Sequence, residues 1–162
     1  MEIIKSRPID LIEILYLLKI CTSDIISMEI KPGYVSVADY IDQKLQTSYI
    51  FRDNNRTVAL IVINEKESAE YTSVNWNIQS ERPLSIDLLI VHPNWYERGI
   101  GDKMILFAED YARNNNFTSI RLDSFGENMF HTDLFQKFNF KQTGSYNTSL
   151  QKVPFYCYEK LL

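Results

Sequence analysis

Positive charge is in short supply in this chain: 17 lysines and arginines stand against 21 aspartates and glutamates, for a formal charge of −4. A general nucleic-acid binder gathers basic side chains into a patch or stripe, so no nucleic-acid partner is expected. Cysteine is scarcer still. Cys21 and Cys157 are too few for a disulfide scaffold and lie far apart among apolar or aromatic neighbours, so they read as reduced core thiols. His92 and His131 are the only histidines, and neither stands at metal-ligand spacing from a cysteine, so no metal is expected. Glycine and proline number five each. They form no linker, and no repeat or low-complexity stretch divides the chain, so residues 1–162 are expected to form a single domain. A long apolar run is missing too: the N-terminal apolar segment is interrupted by Asp10, Glu13 and Lys19 and is too short to span a bilayer. A cytoplasmic protein with no membrane partner is the resulting expectation.

What is present organises itself around residues 84–115. Leu84-Ser85-Ile86-Asp87-Leu88-Leu89-Ile90-Val91 is a nearly unbroken apolar run, suited to a strand buried on both faces. His92-Pro93 ends it, because proline cannot donate to a ladder. Tyr96-Glu97-Arg98-Gly99-Ile100-Gly101-Asp102 then leads into a helix in which Gly101, Met104, Ile105, Ala108, Tyr111 and Ala112 share one face. Asn114-Asn115-Asn116 can close that helix in a left-handed conformation. A strand, a glycine turn and a helix N-terminus together offer free backbone N–H groups and a positive dipole end to an anion. The same glycines also serve a plain strand-to-helix connection.

The flanking elements follow from pattern and turn chemistry. Residues 2–5 read as an opening strand; Pro8 starts a helix with the apolar stripe Leu11, Ile14, Leu15, Leu18. Lys31-Pro32-Gly33 is a turn, and Ser36 with Asp39 resembles a capping box for a second helix to about Gln46. Residues 48–52 and 57–63 form a hairpin across Asp53-Asn54-Asn55. Residues 64–70 read as a loop, and the alternation of Val74, Trp76 and Ile78 with polar residues predicts a further half-buried strand. Residues 119–124 give another strand, Asn128 opens a short helix carrying Phe130, Leu134, Phe135 and Phe138, and residues 141–146 and 154–162 close the sheet as an antiparallel pair. The expected class is α/β: a mixed sheet with helices on both faces.

The run from Val91-His92-Pro93 through Gly99-Ile100-Gly101 and its helix, with Ser119-Ile120-Arg121-Leu122-Asp123-Ser124-Phe125, Asn128 and Leu134-Phe135-Gln136-Lys137-Phe138-Asn139-Phe140, resembles the acetyl-CoA-binding core of the GNAT superfamily of N-acetyltransferases. The resemblance covers residues 84 to about 144 well and the remainder only in its order of elements. It implies a three-layer α/β/α acyltransferase domain, acetyl-CoA as cosubstrate, and a small-molecule or peptide amine as acceptor. Many relatives pair through edge strands, so a homodimer is implied as well.

Carried over residue by residue, the backbone of Glu97, Arg98, Gly99, Ile100, Gly101, Asp102 and Lys103 would seat the pyrophosphate, with Arg98 and Lys103 adding charge. Tyr96 stands where the family usually has Gln or Arg, which weakens charge neutralisation there. Leu89, Ile90 and Val91 would hold the pantetheine arm and face the thioester oxygen. Asn128 matches a CoA-facing asparagine and equally suits a helix N-cap. His131 reads first as a packed histidine and only second as a catalytic one. Asp87 is the one ionisable residue of the central strand; burial there would raise its pKa and suit base work, whereas a strand-end aspartate would pair with a cation or face solvent. Phe135 occupies the place of the family's general-acid tyrosine, so the ring remains without its hydroxyl, and Tyr146 is the candidate substitute. The rival reading is a non-catalytic acyl-CoA-binding protein. G-x-G-x-x-G is absent, since Met104 takes the third glycine place, and this excludes a Rossmann dinucleotide site.

Overall fold

A computed structural model of the chain describes residues 2–21, 37–77, 81–126, 129–147 and 153–162. The strands are β1 (Glu2–Lys5), β2 (Ser48–Asp53), β3 (Arg56–Asn64), β4 (Pro83–Val91), β5 (Ser119–Phe125), β6 (Lys141–Tyr146) and β7 (Phe155–Leu161). The helices are α1 (Leu11–Cys21), α2 (Val37–Lys44), α3 (Ile100–Asn114) and α4 (Met129–Lys137). The strands make a mixed seven-stranded sheet in the order β1-β2-β3-β4-β5-β7-β6. The turn at 31–33, the Ser36 cap, Ile78 and Asn128 lie outside the described residues.

The chain divides into two compact units, Met1–Val62 with Leu88–Met104, and Ile63–Asp87 with Ile105–Leu162. In the first, Pro8 opens a 3-10 turn, Pro8–Asp10, that runs into α1. The buried Asp10 carboxylate accepts from the Arg7 amide at 2.8 Å and from Arg52 Nη2 at 2.6 Å, which fixes the entry to the helix. Ile14, Leu17 and Leu18 of α1 and Ile41 of α2 pack with Ile50, Leu60, Val62 and Ile90. The β2–β3 hairpin turns on Asn54 and Asn55 at φ 47° and 64°, left-handed values that asparagine tolerates better than most residues.

In the second unit β4 and β5 run parallel. Among the described residues of this unit their ladder extends from Pro83↔Ser119 to Ile86↔Leu122. β5 continues to Phe125 in full antiparallel register with β7, and β6 pairs with the other edge of β7 through an irregularity between Gln142 and Gly144. The expected apolar face of α3 holds at Gly101, Met104, Ile105, Ala108 and Ala112, which are buried, whereas Tyr111 is only half-buried. Asn116, at φ 59°, closes the helix as its composition predicts.

One element differs from expectation. The segment around Val74 and Trp76 is not a strand: residues Ala69–Ser73 form a 3-10 turn and the chain then runs extended outside the ladder. Its polar groups are met by other means. Trp76 Nε1 donates to the Tyr71 carbonyl at 2.9 Å and the Asn77 amide donates to Glu159 Oε2 at 2.9 Å. The alternation therefore reports which side chains face inward, Val74 and Trp76, without a sheet partner. Arg121, buried on β5, holds the segment: it bonds Glu159 Oε1 at 2.8 Å, pairs with Glu67 and stacks over the Trp76 ring at 4.5 Å.

Candidate active site

The end of β4 is prepared by local chemistry. The His92 amide donates to the Val58 carbonyl at 2.8 Å, the last tie before the chain leaves the strand. Pro93 then begins a 3-10 turn, Pro93–Arg98, in which His92 Nδ1 accepts from the Asn94 amide at 3.2 Å. This turn is missing from the sequence expectation, although a proline directly after a capping histidine signals a helical start. Gly99 follows at φ 68°. A Cβ there would lie 3.7 Å from Asp102 Oδ2, an ordinary contact, so the backbone angle and not crowding favours glycine.

α3 starts at Ile100, one residue earlier than the glycine pair suggests, and both Ile100 and Gly101 are buried. The Lys103 amide closes onto the Gly99 carbonyl at 3.2 Å. The amides of Ile100, Gly101 and Asp102 thus precede the first intrahelical donor and stand at the positive end of a 15-residue helix. Around them Tyr96, Glu97, Arg98 and Lys103 are exposed, and Asp102 is half-buried. Arg98 lies over the Trp95 ring at 5.2 Å and Lys103 over Phe51 at 5.4 Å, so both cations border the turn without being buried. Burial raises the Tyr96 phenol, as does the nearby Cys21 thiol.

Leu89, Ile90 and Val91 are buried on β4. Cys21 Sγ donates to the Val91 carbonyl at 3.3 Å, which ties the end of α1 to the end of β4. Burial pushes the Cys21 thiol up to about 11, and burial with Asp123 pushes Cys157 up to about 12. Both are free and protonated at neutral pH, hence poor nucleophiles.

The remaining side chains lie in the second unit. Asp87 is half-buried; its oxygens accept from Asn64 Nδ2 at 3.2 Å and Ser85 Oγ at 3.0 Å, so polar donors surround the group in a strand of apolar composition. Tyr146 ends β6, buried, and its hydroxyl donates to Asp123 Oδ2 at 2.9 Å. Burial raises the Tyr146 phenol well above its usual range, and Asp123 adds to the shift. Phe135 is buried on α4 against Tyr158 at 5.1 Å, Phe140 at 5.9 Å and the His131 ring at 5.5 Å. His131 Nδ1 lies 3.0 Å from Ser124 Oγ, and burial lowers its pKa to about 4. The sequence reading missed Asp123 and Tyr71, whose relation to Tyr146 depends on strand pairing. Among the described residues no group of three His, Cys, Asp or Glu side chains could hold a metal, and no helix is long and apolar enough to cross a membrane.

Comparison with known proteins bears on the family and the fold. A family model described as acetyltransferase (GNAT) family matches residues 19–140. No curated protein matches the chain. Among solved structures, a GNAT-family acetyltransferase from Streptococcus agalactiae superposes with a TM-score of 0.79 at 15% identity, covering 99% of this chain and 95% of that one. An agmatine N-acetyltransferase gives 0.74 at 13% identity over 99% of both chains. A chain of the NatC complex bound to Gag peptide and CoA gives 0.67 at 20% identity over 100% of this chain and 99% of that one. At such identities the likeness shows the fold alone.

The lowered pKa of His131 sets a stability window. Above its ordinary value near 6.5 the ring is neutral folded or unfolded, and it contributes no pH dependence. Between about 6.5 and about 4 the unfolded chain takes up a proton that the folded site refuses, so stability falls as pH falls. Urea unfolding at pH 7.5 and pH 5 should show this loss in the wild type. His131→Gln should lose less stability across the same interval; equal losses would place the acid sensitivity elsewhere.

Proposed function

This chain belongs to the GNAT family of acetyltransferases, and from that premise we propose that it binds acetyl-CoA and transfers the acetyl group to a primary amine by direct attack on the thioester. The observation that carries the proposal is the left-handed Gly99 turning the chain into the N-terminus of α3. A pyrophosphate fits there on the chemistry of the chain: amides of the first helical turn that precede its internal bonds, a glycine without Cβ at the bend, and Arg98 and Lys103 at the rim. Each N–H bond to a charged oxygen is worth roughly 1.5–3 kcal/mol, so several together offset the missing family cation at Tyr96. For a phosphate to sit there Glu97 and Asp102 must keep their carboxylates clear of it, and Asp102 Oδ2, 3.7 Å from where a Cβ on Gly99 would stand, must swing away from the bend.

Leu89, Ile90 and Val91 supply main-chain groups along the pantetheine arm, and the family resemblance carries CoA-binding roles onto Asn128 and Phe135 as well. Acetyl-CoA supplies an activated acyl group. Asp87 accepts the proton of the attacking amine, directly or through water, with Asn64 and Ser85 fixing its orientation. Two protonated thiols support direct transfer over an acyl-cysteine route. Tyr146, donating to Asp123 and held neutral, is a weak proton source for the departing sulfur. A thiol of ordinary pKa near ~8.5 leaves as thiolate at neutral pH without much help, so the absence of a hydroxyl at Phe135 is compatible with turnover. A second reading, an acyl-CoA-binding protein without turnover, keeps the same seat at Gly99 and Gly101 and lacks the transfer.

Acetyl-CoA at about 100 times its dissociation constant should stabilise the fold by roughly 2.7 kcal/mol, a melting shift on the order of 5–10 °C. Gly101→Asp places a charge against the phosphate and should abolish the shift; a variant that keeps it would move the seat away from this turn. Asp87→Asn should lower turnover about tenfold or more while the acetyl-CoA shift persists. Turnover unchanged in this variant would leave Asp87 a structural residue.

A further inference from the structure

α1 is apolar on every side. Of its residues Leu11–Cys21 only Glu13 and Lys19 are charged, and a helix of that composition is ordinarily covered all round. In this fold it is covered on one side only. Ile14, Leu17 and Leu18 are buried in the core of the first unit. Ile12 and Tyr16 are 81% and 67% exposed, and Ile9, in the 3-10 turn before the helix, is 79% exposed. Among the described residues these are the three most exposed large apolar side chains. The others, Tyr96, Leu106, Val153 and Leu161, stand at 38% to 49% and lie on separate segments. Single exposed apolar residues are ordinary; a row of them on one helix marks a contact surface.

Spacing turns these residues into a surface. Ile12, Tyr16 and the half-buried Ile20 are four apart and form one ridge along the helix, with Ile9 beyond its N-terminal end. The two charges of α1 stand at matched places on the same face. Glu13 lies three residues before Tyr16 and Lys19 three residues after it, so they fall on opposite flanks, one turn either side of the ring. Glu13 is held in position: its Oε2 accepts from Thr57 Oγ1 at 2.7 Å and from the Thr57 amide at 3.3 Å. Its side chain is still 46% exposed, and Arg52 approaches it only to 3.8 Å while bonded to Asp10 at 2.6 Å. Lys19 is exposed.

An apolar ridge flanked symmetrically by one acid and one base fits a copy of itself. Ridges of residues four apart pack together at a crossing of about 50°. With a two-fold axis along the ridge beside Tyr16, that crossing covers Ile12 and Tyr16 with the same residues of the second copy. It also brings Glu13 of each copy to Lys19 of the other. One isologous contact then buries the row and matches both charges.

We propose that this face of α1, with Ile9, Ile12 and Tyr16 at its centre and Glu13 and Lys19 on its flanks, joins two copies of the chain in a two-fold dimer. The contact is made by helices and leaves β1 and β6, the outer strands of the sheet, unused. It does not depend on the acetyl-transfer reading.

Sedimentation equilibrium of the full chain should show a monomer–dimer equilibrium. Tyr16→Ala and Ile12→Glu should each weaken the dimer about tenfold or more. Both side chains face solvent in the single copy, so at a dilution where the wild type is itself monomeric the variants should melt as it does. Lys19→Glu sets like charges together and should weaken the dimer strongly at low salt and less at high salt. Tyr16→Cys, close to the two-fold axis, should oxidise to a disulfide-linked dimer, whereas Leu106→Cys, exposed on α3, should not; wild type treated alike gives the baseline. A wild type still monomeric at about 100 μM overturns the proposal. So does a dimer that Tyr16→Ala and Ile12→Glu leave intact, which would place the contact on another surface, and so does a Tyr16→Cys protein that forms no cross-link above the baseline.

Discussion

The backbone of a strand must have its N–H and C=O groups satisfied, and each unit of this chain meets that requirement in its own way. In the second unit β4 and β5 satisfy each other from Pro83↔Ser119 to Ile86↔Leu122. β5 leans on β7 along its whole length, and β4 ends with the Val91 carbonyl taken by the Cys21 thiol and the His92 amide given to Val58. The turn at Gly99 then delivers the first amides of α3, which the helix itself does not use. The proposed anion seat at α3 follows from these unused amides, and the proposed pantetheine arm from the main chain of β4.

Charge is distributed to match. The exposed Arg98 and Lys103 border the turn, while Arg121 on β5 gathers Glu67 and Glu159 round its guanidinium. The buried Arg121–Glu159 pair costs desolvation that its geometry repays only with further partners, and it has them in Glu67, Asn77 and the Trp76 ring. That cluster is what keeps an extended segment in place without a ladder. It also brings Tyr71 over the sheet. The thiols contribute by being unreactive: raised by burial, Cys21 acts as a donor to Val91 and leaves no acyl-carrying nucleophile at hand.

Much of this was legible in the residues. Asn54 and Asn55 predict a hairpin because few other side chains tolerate their angles, and Asn116 ends α3 for the same reason. The spacing of Gly101, Met104, Ile105, Ala108 and Ala112 gives the buried face of α3 directly. The failures share a cause. Val74 and Trp76 alternate as a strand does, yet the alternation records burial against side chains distant in sequence, and no local pattern tells a ladder from a set of side-chain bonds. The donors around Asp87 and the phenols around Asp123 are likewise set by long-range register, including the irregularity in β6 that brings Tyr146 over β7. A resemblance could point to Asn128 and Phe135, but nothing in the order of residues ties Tyr71 to Asp123.

The central claim is that an amine takes the acetyl group straight from the thioester on this protein. Mass spectrometry of both protein and acceptor after one turnover, with acetyl-CoA labelled in the acetyl carbon and a panel of primary amines, tests it most directly. The account predicts label in the amine, one free CoA thiol released per acetyl group moved, and a protein of unchanged mass. Label retained on the protein, or CoA released with no amine in the panel acetylated, would contradict it.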